Sequence, residues 1–360
     1  MSSAFALYRL PHADRYVKVQ GSTRQLLSCT LLNGLSGFVV APFQVTSEQP
    51  IVVIDPEQVE SEKFKVNSEK FAAAIPSAQA SCLVGNSSLF TFPSSLKTHY
   101  HIDFANYHAQ LCQGTFRKIV LARCADEVAS SPVEPEQLFL RACSLYPRMF
   151  IALVSTPQSG VWLTATPEIL LEGDGTNWRT IALAGTMKLE GSQLAGEGET
   201  VRWSTKNIEE QRVVATYIAE CLEHFTGDFT EEGPRTVRAA NLVHLRSDFT
   251  FTLPSPDCLG NLLHELHPTP AVCGLPKREA FQFIVRHEHT PRRYYSGFMG
   301  PLNMEDTHLY VSLRCMNIDD GVYHLYAGGG LLKDSIEEQE WLETEAKLET
   351  MRQCIAANPK

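Results

Sequence analysis

The sequence predicts an α+β fold, and three observations carry that expectation. Strand-like and helix-like stretches interleave without a regular βα period, which argues against a doubly wound parallel sheet. Between residues 150 and 184, four short apolar runs are separated by the turn signals Pro157-Gln158-Ser159-Gly160 and Asp174-Gly175, the pattern of an antiparallel meander. Two long stretches, from Thr205 and from near Ser335, carry apolar stripes at helical spacing. With 360 residues, 44% of them hydrophobic, the chain can bury a substantial core.

The elements follow in order. Residues 1 to about 95 are strand and loop, with apolar runs at Gly37-Phe38-Val39-Val40 and Ile51-Val52-Val53-Ile54. A joint is expected around Thr91 to Lys97, where Pro93, Ser94 and Ser95 cluster. This divides the chain into an N-terminal part, 1–96, and a core, 97–354. A helix follows over His101 to Cys112, a strand over Phe116 to Val128 and a helix over Pro135 to Tyr146. The meander strands are Phe150 to Val154, Gly160 to Ala165, Glu168 to Glu172 and Trp178 to Ala184. Beyond it come a helix from Thr205 to Phe225, strand and loop from Arg238 to Leu253, and helices over Asp257 to Leu266 and Lys277 to His287. Strands at Tyr294 to Leu302, His308 to Asn317 and Val322 to Ala327 precede the last helix, for which Ser335 and Glu338 fit a capping box.

Composition excludes some functions. The formal net charge is −10, so nucleic acid is not the expected partner. The ten cysteines form no CxxC pair and no zinc-finger spacing with histidine; several sit in apolar runs, as free thiols of a reducing cytoplasm do. No secretion signal is legible, and no run of about 18 apolar residues predicts a membrane span.

Several charged residues stand where burial is expected. Glu210 lies three, four and seven residues before Val213, Val214 and Tyr217, on the apolar side of its helix. A carboxylate there needs a partner, a proton or a metal, although a first-turn acid also suits the helix dipole. On the last helix, Ile336, Glu340, Glu343 and Lys347 form a stripe beside Trp341, Leu348, Met351 and Ile355, readable as a salt-bridged face or as an inward acidic row. Two helices each offering inward carboxylates suit magnesium, which takes oxygen ligands and keeps waters. Gly328-Gly329-Gly330 reads as an anion nest or a strand-to-helix turn. Arg314 lies inside an apolar run and needs an anionic partner. Lys118 shares strand parity with Val120 and Ala122, either as an edge-strand charge or as a desolvated base.

These pieces stand in the order found in the chorismate-utilising enzymes, which the chain resembles over residues 97 to 352. The matching segments are the Lys118 strand, Ala165-Thr166-Pro167-Glu168-Ile169-Leu170-Leu171, Ala182-Leu183-Ala184-Gly185-Thr186, and the helix start from Lys206 to Val214. They continue with His267-Pro268-Thr269-Pro270-Ala271-Val272-Cys273-Gly274, Tyr295-Ser296-Gly297, Leu313-Arg314-Cys315, Tyr326-Ala327-Gly328-Gly329-Gly330 and Glu340-Trp341-Leu342-Glu343-Thr344-Glu345-Ala346-Lys347. The resemblance implies one large domain of antiparallel sheets packed together with helices outside. It implies Mg²⁺ on Glu210 and Glu343 with Glu340 nearby, and chorismate held by Arg314, Tyr295, Lys347 and the backbone around Gly328, Gly329 and Gly330, beside Gly185, Thr186 and His267. It also implies Lys118 as the base that activates water and Glu168 as the acid. Glu209 is the alternative to Glu210 as ligand, and Cys273 stands where a smaller residue is commoner.

Within that family, Ala184 precedes the Gly-Thr turn, where aminodeoxychorismate synthases carry lysine. Lys118 stands where anthranilate synthases carry glutamine. Water as a nucleophile needs a general base and ammonia does not, so Lys118 favours isochorismate formation without a glutaminase subunit. Salicylate synthases, which go on to eliminate pyruvate, are the runner-up, then an anthranilate synthase component. A non-catalytic chorismate-binding homologue would lack one of Lys118, Glu168, Glu210 or Glu343, and all four are present.

Overall fold

The computed structural model describes residues 4–63, 94–128, 132–189, 201–239, 242–253 and 255–356. Elements are numbered along the chain. One nine-stranded sheet runs, in spatial order, β14 (Gly274–Leu275), β7 (Lys118–Val128), β18 (Val322–Leu331), β17 (Cys315–Asp319), β9 (Gly160–Thr166), β8 (Phe150–Thr156), β1 (Ala4–Arg9), β2 (Arg15–Gly21) and β6 (Gln58–Lys63). The other runs β12 (Phe229–Ala239), β13 (Leu242–Thr252), β11 (Asn177–Lys188), β10 (Ile169–Gly173), β16 (Thr307–Val311), β15 (Phe298–Leu302), β4 (Gly37–Ala41), β5 (Ile51–Ile54) and β3 (Thr23–Leu26). Every described strand pairing is antiparallel.

The helices are α1 (Ser94–Cys112), α2 (Pro135–Leu145), α3 (Thr205–Glu223), α4 (Leu259–Leu266), α5 (Lys277–His287) and α6 (Glu337–Ile355). The apolar residues sort into layers that place them. Phe38, Val40, Phe150, Trp162, Tyr310 and Tyr326 fill the space between the sheets. Leu138 and Phe139 of α2 and Leu348 and Met351 of α6 pack on the outer face of the first sheet. Val214 and Ile218 of α3 and Leu259 and Leu263 of α4 cover the second. Tyr107 of α1 and Ile284 of α5 close over Ile119 and Leu121. The α+β expectation of packed antiparallel sheets with helices outside holds, as one domain.

Several local expectations change. The region 150–184 is not one meander. β8 and β9 pair in the first sheet, β10 and β11 in the second, and Pro167-Glu168 crosses between them. The run His308 to Asn317 is likewise two strands in different sheets, broken where Arg314 takes a left-handed φ of 46°. The glycine run lies inside β18, paired with Val120 to Ala122, and makes neither a turn nor a nest. The strand expected from Tyr294 begins only at Phe298, and β12 starts nine residues before the strand expected from Arg238. Ser335 is not a helix cap: Ile336 holds the N-cap position without a side-chain bond, and the buried Ser335 hydroxyl accepts from Leu332 N–H. The joint region overlaps the start of α1 at Ser94; Thr91 to Pro93 lie outside the described residues.

Candidate active site

The two crossovers and the glycine strand meet at one cavity. Its lining includes Glu168, Gly185, Thr186, Glu210, Tyr295, Arg314, Gly328, Gly330 and Lys347. Strand alternation explains one wall. Lys118, Val120 and Ala122 point inward from β7, while Ile119 and Leu121 pack outward among the helices. The facing strand carries glycine because nothing larger fits. A Cβ on Gly330 would lie 2.2 Å from Glu210 Oε1 and 2.8 Å from Lys118 Cε, and one on Gly328 would lie 2.7 Å from the Tyr295 hydroxyl. Gly329 alternates to the other face, toward Glu340, so of the glycine run expected at the substrate Gly328 and Gly330 line the cavity and Gly329 does not.

Lys118 is fully buried, which overturns the edge-strand reading. It sits just behind the lining, with its Nζ 3.0 Å from Glu210 Oε1. Burial pushes the Glu210 carboxyl up, but Lys118, Lys347 and Lys206 together outweigh it and hold the group below its usual range. Glu209, one residue earlier on α3, is exposed. Glu168 is the opposite case. Burial pushes its carboxyl up to about 7, against the pull of Lys118, Lys347 and Arg314. An acid that keeps its proton near neutrality therefore shares the cavity with a carboxylate that does not.

Arg314 is aimed into the cavity by its left-handed backbone, and its Nη2 donates to His244 Nε2 at 2.6 Å. Arginine only donates, so Nε2 is the bare nitrogen and Nδ1 carries the proton. That Nδ1–H faces the Gly185 carbonyl at 3.2 Å. A bulge makes this possible: β11 and β13 slip register between Ala184 and Thr186, and Gly185 takes a φ of 74°. Burial, then Arg314 and Lys347, push His244 well below its ordinary range, so it stays neutral. Sequence reasoning missed His244; the available signal was a histidine in the buried run Leu242 to Leu245. His267, expected in the ring pocket, is not there. It lies among buried residues, with Nε2 3.1 Å from the Pro42 carbonyl and its ring edge-on to Phe298. Cys273 also lies outside the cavity, packed with Ile119, Ala280 and Ile284.

Three carboxylates from α3 and α6 each meet a lysine. Glu210 faces Lys118, Glu340 pairs with Lys206, and Glu343 accepts from Lys347 at 2.7 Å. Lys347 also donates to the Gly328 carbonyl at 2.9 Å. Burial and the neighbouring Glu343 raise the Glu340 carboxyl against the pull of Lys206, and Glu340 Oε2 is buried without a hydrogen-bond partner. Among the described residues the three do not gather around one point. An all-oxygen set with an orphaned buried oxygen fits a magnesium ion that takes a few carboxylates and completes its shell with water.

Comparison with known proteins agrees with this architecture. The family model of chorismate binding enzymes matches residues 52–356. The chain belongs to the chorismate binding enzyme family. It is 33% identical over 247 residues to the isochorismate synthase MenF of Escherichia coli K12, covering 68% of this chain and 57% of that protein. It is 29% identical over 238 residues to the isochorismate synthase EntC of the same organism, covering 65% of this chain and 61% of that protein. The alignments thus span less than two thirds of those relatives' own lengths. The crystal structure of menaquinone-specific MenF from E. coli superposes with a TM-score of 0.79 at 25% identity, covering 99% of this chain and 89% of that one.

Proposed function

We propose that the chain is an isochorismate synthase, converting chorismate to isochorismate with Mg²⁺ as cofactor. The observation that carries this reading is the buried, proton-retaining Glu168 in the cavity wall, with Lys118 of β7 just behind that wall beside Glu210. Lys118, acting as the neutral amine, takes a proton from water, whose oxygen bonds to C2 of the ring. The ring double bond shifts, the C4–O bond breaks, and Glu168 gives its proton to the departing hydroxyl. The Lys118–Glu210 pair must open for the amine to reach that water. Arg314, fixed by neutral His244, and Tyr295 bind the substrate carboxylates. Glu210 and Glu343 hold Mg²⁺, with Glu340 beside it. When bound, Mg²⁺ supplies a Lewis acid for the ring carboxylate. The names of the relatives support the same reaction.

The test is product analysis after incubating the purified chain with chorismate and Mg²⁺. Isochorismate is expected without a glutaminase subunit, and excess chelator abolishes it. Lys118→Ala loses roughly 10²–10⁴-fold in turnover while remaining folded. Salicylate with pyruvate would move the assignment to the lyase branch, and anthranilate on adding ammonium salts to the amine-transfer branch. A folded Lys118→Ala protein with wild-type turnover would end the water-activation reading.

A further inference from the structure

The β7–β18 ladder carries a second group of ligating side chains, at the end remote from Lys118. Cys124 and Asp126 project from β7, and His324 from β18, with Asp126 paired in register to His324 and Cys124 to Tyr326. Six residues of extended strand separate Cys124 from Lys118, about 20 Å. One oxygen of Asp126 receives both neighbours. His324 Nδ1 lies 2.6 Å from Oδ1, and the Cys124 thiol donates to the same atom at 3.6 Å. The three ligating atoms all lie within 4.8 Å of one another. A tetrahedral ion bonded at 2.0–2.3 Å keeps its donors roughly 3.3–3.7 Å apart, so small side-chain rotations bring all three onto one ion. Two protons aimed at one carboxylate oxygen occupy the space such an ion fills.

The surroundings suit ligation. The paired strands fix all three backbone positions, and the Tyr326 ring, stacked on Tyr295 at 5.6 Å, sets its hydroxyl beside Cys124. Asp126 is exposed and Cys124 and His324 are half-buried, leaving a side open to water. We propose that Cys124, Asp126 and His324 bind a divalent transition-metal ion of the zinc class, with water completing the shell. Binding sends the Cys124 thiol proton to bulk water, shifts the His324 proton from Nδ1 to Nε2 so that Nδ1 ligates, and clamps β7 to β18, the strands that carry Lys118 and the three glycines. Thiolate and imidazole select softer ions than the oxygen-only site does, so the two sites take different metals.

Cobalt(II) is the probe, titrated into the full chain with Mg²⁺ saturating and with Cys112→Ser present. Cys112 must be removed because its sulfur lies 3.7 Å from His108 on α1 and could itself bind cobalt. One equivalent should give visible bands of tetrahedral intensity and a near-ultraviolet sulfur-to-cobalt band, both displaced by Zn²⁺. Cys124→Ser should lose the sulfur band, and His324→Ala should lose both the spectrum and the rise in Tm that Zn²⁺ gives the parent. Circular dichroism reports whether each variant is folded, and no substrate is needed. An absent sulfur band in the parent, or one unchanged by Cys124→Ser, overturns the site and leaves Asp126–His324 a cross-strand ion pair.

Discussion

Glu168 is where function and stability pull apart most sharply. Its folded carboxyl titrates at about 7 because burial disfavours the anion, whereas an unfolded chain returns it to the ordinary range near 4.5. Between those values the native state holds the proton more tightly than the unfolded state. The stability it contributes is therefore complete below about pH 4.5 and lost as pH rises through 7. Above pH 7 the buried anion costs about 3 kcal/mol by that shift. Glutamine keeps the shape and carries no charge. Glu168→Gln should thus be inactive yet harder to unfold, its advantage in urea midpoint absent at pH 4 and full at pH 8. Equal advantage at both values would show that the carboxyl is not held protonated. Wild-type turnover should fall above neutrality as the acid loses its proton.

At the scale of elements, the glycine strand sets how closely β18 can approach α3 and β7. None of the three glycines has a left-handed φ, so alanine fits the backbone and even removes some chain entropy from the unfolded state. What alanine cannot do at position 330 is avoid Glu210, 2.2 Å from the new Cβ. Gly330→Ala should keep native circular dichroism, push Glu210 off Lys118, and raise the Mg²⁺ concentration needed for half-maximal turnover at least tenfold. Gly329→Ala meets only Glu340 Oε2, at 3.2 Å, and should do less. Unchanged magnesium dependence in Gly330→Ala would remove Glu210 from the metal. The sequence made the strand legible but not the meaning of its glycines, because the space they leave is defined by side chains of other elements, and for Gly330 by Glu210 and Lys118, each more than a hundred positions away. Lys118 was half legible: alternation put it on one face with Val120 and Ala122, but its burial depends on the strands and helices packed against β7. His267 misled because a histidine in a motif does not reveal which cavity it faces. His244 escaped because the bulge at Gly185 that aims it is a property of two paired strands.

For the whole molecule, the first sixty residues are structural partners of the rest. β1 pairs with β8 in one sheet and β4 with β15 in the other, so residues on either side of the expected joint complete both sheets. All five residues of β4 are buried, and Phe38 and Val40 sit in the layer between the sheets beside Phe150 and Tyr310, whose rings stack 4.3 Å apart across it. The joint near Thr91 was drawn from Pro and Ser composition, which reports local chain character and nothing of strand pairing. A chain restricted to residues 97–360 would bare the edges of β8 and β15 and one side of that aromatic layer. Bared edges recruit other chains, and losing several buried large side chains at about 2–5 kcal/mol each exceeds the stability of an ordinary domain. The truncated chain should therefore aggregate or bind ANS without native near-ultraviolet dichroism, while the full chain unfolds in one cooperative transition followed identically by both probes. A soluble truncated chain that turns over chorismate would show instead that the cavity, which draws none of its lining from residues 1–96, is held by the remaining strands alone.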